Sequence, residues 1–185
     1  MSDGPSPSEA AAIAGAAGCR IARSHRLSDG SWAHEIECAS HATKVAFLDG
    51  LASWDALQPS VRRAAEGVAA GARTTLDQIR AIHRLVRDGV LYTGEPRETF
   101  SPPLRTLRVG LGDCDDQTRC LLALLRALGH RTRPGTLGEP PRHIAAQVQL
   151  GATWHWLETT IAAEPGEHPL AAAKRLGLAT RVDLR

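Results

Sequence analysis

Gly112-Asp113-Cys114-Asp115-Asp116-Gln117-Thr118-Arg119-Cys120-Leu121-Leu122-Ala123-Leu124-Leu125-Arg126-Ala127-Leu128-Gly129 decides how the rest of this chain is read. Asp113 is a good N-cap, because its carboxylate can accept from the unpaired N–H groups of the first turn. Asp116, three residues on, stands where a reciprocal cap would. Cys120, Leu121, Leu124, Leu125 and Leu128 make the far end apolar nearly all round, so the helix is expected to be central and buried. Arg126 suits the negative end of the dipole, and Gly129 ends the helix.

Downstream the period changes from helix to strand. Residues 131–137, 143–150 and 153–161 read as three strands, the last two joined by Gly151-Ala152. Upstream, Gln58-Pro59-Ser60 opens a helix in which Val61, Ala64, Ala65 and Val68 recur at helical spacing, closed by Gly71. Thr74 or Thr75 caps a second helix whose stripe is Leu76, Ile79, Ile82, His83 and Val86, and His83 there reads as a satisfied core histidine. Residues 90–92 are extended, and 93–103 form a loop rich in Gly and Pro. Helices followed by a thiol-bearing helix and an antiparallel sheet define an α+β fold.

The remainder is less patterned. Residues 1–18 are small, broken by Pro and Gly and free of aromatics, and are expected to be a flexible leader. Residues 19–56 hold a hairpin, Arg20 to Leu27 and Trp32 to Cys38 around Ser28-Asp29-Gly30, then a short apolar run from Phe47 to Leu57. The core is placed at 57–165, and 166–185 form a polar tail with a short helix at Leu170 to Leu176.

Composition excludes several classes. The 185 residues are 43% hydrophobic and 23% charged, ordinary for a globular protein of one domain plus tails. A net charge of +2 argues against a nucleic-acid partner. The absence of a long apolar run argues against a membrane span. With Asp3 where a signal peptide wants a cation, the expected compartment is the cytoplasm. The four cysteines lack a C-x-x-C pair, so Cys19, Cys38 and Cys120 read as structural or idle thiols. Cys114 and Cys120 project ~240° apart on one helix and cannot share a site.

Cys114 is different. At the first turn it faces the positive end of the helix dipole, where a thiolate, the reactive form, is favoured. Its backbone N–H can also donate to an oxyanion forming on an attacked carbonyl, although no second donor is evident. Asp113, Asp115 and Asp116 would raise the thiol pKa unless turned to the helix N–H groups, so the site needs a cation such as an imidazolium. His143 can supply it. A type II′ turn at Gly151-Ala152 sets His143 opposite Thr160 and Glu158 opposite Ala145. His143 and Glu158 then share one face as diagonal neighbours, about 7–8 Å apart at Cα. A slip of one residue would separate them. Trp154 and Trp156 fall on that same face, where they either pack or wall an acyl-binding cleft.

The Gly112-to-Gln117 run, the Leu-rich helix ending at Leu128-Gly129, Arg142-His143 and Trp154-x-x-x-Glu158 together resemble the transglutaminase-like superfamily of thiol enzymes, in its small bacterial and phage-type members. Ala81-Ile82-His83-x-x-Val86, Tyr92 and the stretch from Phe100-Ser101-Pro102 to Leu107 resemble the lead-in. The likeness covers roughly 57–165. It implies a papain/transglutaminase-like fold, with the Cys-bearing helix packed on an antiparallel sheet. It implies Cys114 as nucleophile, His143 as general base and acid, and Glu158 as the group orienting the imidazole. The expected activity is acyl transfer on a glutamine carboxamide or peptide bond through a thioester, with a peptide or protein substrate, an amine or water as acceptor, and no cofactor or metal. The alternative is a non-catalytic scaffold or protein-binding module that keeps the fold. One departure stands out: the family usually has Asp, in W-x-x-x-D-P, where this chain has Glu158-Thr159.

Overall fold

The computed structural model describes residues 4–94, 99–138 and 143–178. In chain order the elements begin with α1 (Pro7–Ala17), the hairpin β1 (Cys19–Arg26) and β2 (Trp32–Cys38), and α2 (His41–Ala56). Next come α3 (Pro59–Ala69), α4 (Thr75–Gly89), β3 (Leu91–Tyr92), α5 (Pro103–Val109) and β4 (Leu111–Gly112). The quoted stretch is α6 (Cys114–Ala127), followed by β5 (Thr132–Leu137), β6 (His143–Leu150), β7 (Thr153–Leu157) and α7 (Pro169–Arg175).

Helix α6 is the axis of the molecule, as its apolar pattern requires. Every side chain from Cys120 to Leu125 is fully buried. On one side it meets Val61 and Ala65 of α3 and Ile79, Ile82 and Val86 of α4; on the other it meets Ala146, Val148 and Leu157 of the sheet. Thr74 caps α4 in a reciprocal box with Asp77. Asp113 caps α6, its Oδ1 accepting from the N–H groups of Asp115 and Asp116. Gly129, at φ 87°, adopts the left-handed turn that lets the chain leave the helix.

The three-stranded sheet is antiparallel in the order β5-β6-β7. Ala146 lies opposite Leu157 and Leu150 opposite Thr153, which is the register expected from the Gly151-Ala152 turn. Gly151 has φ 58°, and no residue but glycine has positive φ among the described ones, as a type II′ turn demands. Alternation then puts Ile144, Ala146 and Val148 on one face of the sheet and His143, with the buried Ala145 and Gln147, on the other.

The N-terminal third departs from the sequence reading. Residues 7–17, expected to be a flexible leader, form α1. Ser6 and Glu9 cap it in a reciprocal box, and Ala10 and Ala14 are buried. Small alanines made the segment look too weak to order, yet smallness lets the helix approach α2 closely: Ile13 reaches the position a Cβ on Gly50 would take. The apolar run at 47–57 is the second half of the 16-residue α2, whose start is capped by Ser40. Cys19 and Cys38, expected to be structural or idle thiols, form a disulfide across the open end of the β1–β2 hairpin, where the register sets them directly opposite each other. Sequence spacing alone does not reveal such a pair.

A buried ion pair ties the two halves together. Arg119 of α6 donates from Nε and Nη2 to both oxygens of Asp55 of α2, at 2.6 and 2.9 Å, and from Nη1 to the carbonyl of Phe100 at 2.6 Å. Among the described residues, no helix is long and apolar enough to cross a membrane.

Candidate active site

Cys114 is the first residue of α6 and is half-buried. Its side chain packs in one cluster with Ile144, the second residue of β6, whose backbone N–H acts to lower the thiol pKa. One turn along the same helix, Thr118 Oγ1 donates to the Ile144 carbonyl at 3.2 Å. The β6–β7 ladder stops at Ala146 and Leu157, and beyond the end of β7 it is α6, through Thr118, that takes up the Ile144 carbonyl. This ties the start of β6, where His143 stands, to the first turns of α6.

The thiol is hydrogen-bonded to Asp115, with Sγ 3.6 Å from Oδ1. Burial pushes the Cys114 pKa well up, Asp115 and Asp113 push it further, and the Ile144 N–H acts the other way. These surroundings favour the neutral thiol. The carboxylates behave differently from one another. Asp113 is turned to the helix N–H groups, Asp116 Oδ1 accepts from the Ser101 N–H at 2.6 Å, and Asp115 pairs with Lys44 of α2 at 2.8 Å. Lys44 also sits 5.8 Å above the ring of Phe100. Lys44 is thus the local cation that the sequence reading missed, because it lies 71 positions upstream of its partner. Asp113, Cys114 and Asp115 offer three ligand atoms within 4.8 Å of one another. Two of the three are already committed, to the cap and to Lys44, and so are poorly disposed to a metal.

His143 opens β6 and Glu158 follows β7 by one residue. His143 Nε2 lies 2.6 Å from Glu158 Oε2, with the imidazole 12% and the carboxylate side chain 1% exposed. Burial by itself would raise the Glu158 pKa, but hydrogen bonds from His143 and from Thr160 outweigh it and hold the carboxyl below its ordinary value. With Nε2–H donating to a carboxylate, Nδ1 is the ring nitrogen that this bond leaves over. Glu158 Oε1 accepts from the N–H and hydroxyl of Thr160 at 2.7 and 2.8 Å.

Of the other singled-out residues, Tyr92 lies close enough to Cys114, Asp113 and Asp115 for their charges to raise its pKa. Trp154 is stacked under the Arg133 guanidinium, 4.2 Å from ring centre to Cζ. Trp156 lies so close over Gly135 that a Cβ there would stand 2.6 Å from its ring, and it meets His168 edge to face. Cys120 is fully buried. Gln117 is buried with Nε2 3.4 Å from the Gly112 carbonyl. Tyr92, paired across the β3–β4 bridge with Gly112, lines a cleft of about 420 Å³ with Leu91, Gly110, Thr159 and Thr160.

Residues 62–160, more than half the chain, match the family described as the transglutaminase-like superfamily, and the chain belongs to it. No curated protein matches the chain. Among solved structures it is similar to a proposed cysteine protease from Cytophaga hutchinsonii, at 21% identity and TM-score 0.48, over 55% of this chain and 37% of that one. It is similar also to a proposed protease from Parabacteroides distasonis, at 15% identity and TM-score 0.49, over 65% and 26% of the two chains. A third, described as a TGase, has 13% identity and TM-score 0.42 over 95% and 54%. The chain thus corresponds to a part of each of these longer proteins.

Proposed function

We propose that this protein catalyses acyl transfer on an amide through a thioester at Cys114, with His143 as general base and acid and Glu158 orienting the imidazole. The observation that best supports the reading is the His143–Glu158 hydrogen bond, at a strand whose next residue, Ile144, packs in one cluster with Cys114. In the forward step the Cys114 sulfur bonds to the substrate carbonyl carbon as His143 takes the thiol proton. The oxyanion is met by the Cys114 N–H, and the C–N bond then breaks as the imidazolium protonates the leaving amine or ammonia. Water or a primary amine, activated by His143, releases the acyl group.

A neutral thiol, which the surroundings of Cys114 favour, suits a general-base mechanism, in which sulfur loses its proton to His143 as attack begins, more than a preformed ion pair. Hydrolysis is the favoured outcome, as amidase, deamidase or cysteine protease, with amine transfer as the variant in which water is excluded. A peptide or protein side chain is the expected substrate. The Cys19–Cys38 bond supports an oxidising compartment over the cytoplasm inferred from the sequence. Incubating the protein with a glutamine-containing peptide, with and without a primary amine, separates the reactions by mass spectrometry. Deamidation, cleavage or an amine adduct that disappears in Cys114→Ala supports the reading; no product with a folded protein and a range of peptides favours the scaffold alternative.

A further inference from the structure

His83 is fully buried on α4, and the proposed chemistry does not use it. Its Nε2 lies 2.6 Å from the carbonyl oxygen of Glu158, a short contact for a nitrogen–oxygen pair. A carbonyl only accepts, so Nε2 carries the proton. Burial lowers the imidazole pKa and holds it neutral, so Nδ1 keeps a bare lone pair, buried without a hydrogen-bond partner. Ile79, Ile82 and Val86, which share its stripe on α4, are core residues, and apolar packing of that kind does not call for an imidazole. A histidine there leaves a polar atom unsatisfied, so the hydrogen bond to Glu158 is what distinguishes it.

Glu158 needs such a bond. It is the first residue past β7, where the ladder no longer holds the backbone. Glutamate also has one more rotatable bond than the aspartate usual in the family, so its carboxylate is harder to hold in one place. Here His83 fixes the carbonyl from α4, while the Thr160 N–H and hydroxyl fix Oε1. Both ends of the residue are held, and Oε2 is left facing His143.

We propose that His83 and Thr160 are positioning residues that clamp Glu158 at backbone and carboxylate, so that a glutamate does the orienting work usually done by an aspartate. The inference rests on the triad reading above. Neither residue touches the reacting atoms; each acts through Glu158.

The test is the rate at which iodoacetamide alkylates Cys114, read by peptide mass spectrometry across pH in the full-length protein. Thr160→Val removes the hydroxyl at nearly constant volume, and is expected to lower the rate near neutrality about tenfold, by moving the midpoint of the profile up by about one pH unit. Thr160→Ser is expected to restore both rate and midpoint. His83→Gln, which keeps a side-chain N–H donor, is expected to fall between the native protein and His83→Leu. Equal losses in Thr160→Val and Thr160→Ser would overturn the clamp, as would an unchanged profile in Thr160→Val. If His83→Leu does not fold, the Thr160 pair decides. His143→Ala and Glu158→Gln separate the two levels of the argument. If both slow alkylation while the Thr160 variants do not, only the clamp fails; if neither does, the triad reading itself fails.

Discussion

The carboxylate of Glu158 and the imidazole of His143 meet at 2.6 Å from two strands joined by a single tight turn. Glu158 has its pKa held below the ordinary 4.5 by that bond and those from Thr160, against the opposing effect of burial. A depressed carboxylate contributes stability above its unfolded value and loses it as pH falls through the folded one. Glu158→Gln is therefore expected to be less stable than the native protein near neutrality by about 1.5–3 kcal/mol, the worth of a charged hydrogen bond. The gap should close as pH drops below 4.5. Thermal melts of both proteins from neutral to acid pH check this; parallel curves would contradict it.

Asp115 raises the Cys114 pKa, and Lys44 pairs with Asp115 at 2.8 Å. Removing the negative charge beside Sγ should lower the Cys114 pKa, and each unit of lowering means about tenfold more thiolate at a pH below it. Asp115→Asn is expected to speed alkylation of Cys114 at neutral pH. Lys44→Met, which leaves Asp115 without its cation, is expected to slow it. Cys120, fully buried, serves as the internal control in the same digest.

Cys114→Ala should remove all turnover and leave the fold intact, because the residue sits at a helix start and the capping is done by Asp113. Circular dichroism and urea melts indistinguishable from the native protein, with no product in the peptide assay, are the expected results.

Arg119 and Asp55 are buried together, with side chains 1% and 2% exposed. Asp55→Ala strands a guanidinium in the core and is expected to cost about 3–5 kcal/mol, whereas replacing both partners by apolar residues should cost much less. Urea unfolding of the single and double variants reads this directly.

The Cys19–Cys38 bond closes a hairpin with a sequence separation of 19. Its reduction is expected to lower stability by about 2–4 kcal/mol. Alkylation in denaturant should modify two cysteines without reductant and all four with it.

How much of this was legible in the sequence depends on the range of the interaction involved. The α6 cap, its leucine face and the β6–β7 register follow from residues a few positions apart, and these carried the fold and the His143–Glu158 pairing. α1 was missed because alanine gives a weak apolar signal, although the Ser6–Glu9 box was there to be read. The first half of α2 was missed because its apolar residues begin only at Val45, after a polar opening turn. Lys44, Arg119 with Asp55, and His83 with Glu158 are separated by tens of residues, and no local pattern points from one to the other.

Local spacing, capping and strand alternation thus determined by themselves that a cysteine heads a buried helix and that a histidine and a glutamate share one sheet face, since each depends on backbone periods of a few residues. Only the tertiary structure decided that the thiol stands against Asp115, that Lys44 pairs with that carboxylate, and that α4 holds the Glu158 carbonyl. Burial and charge act through space, and the elements that bring these groups together are far apart in the chain.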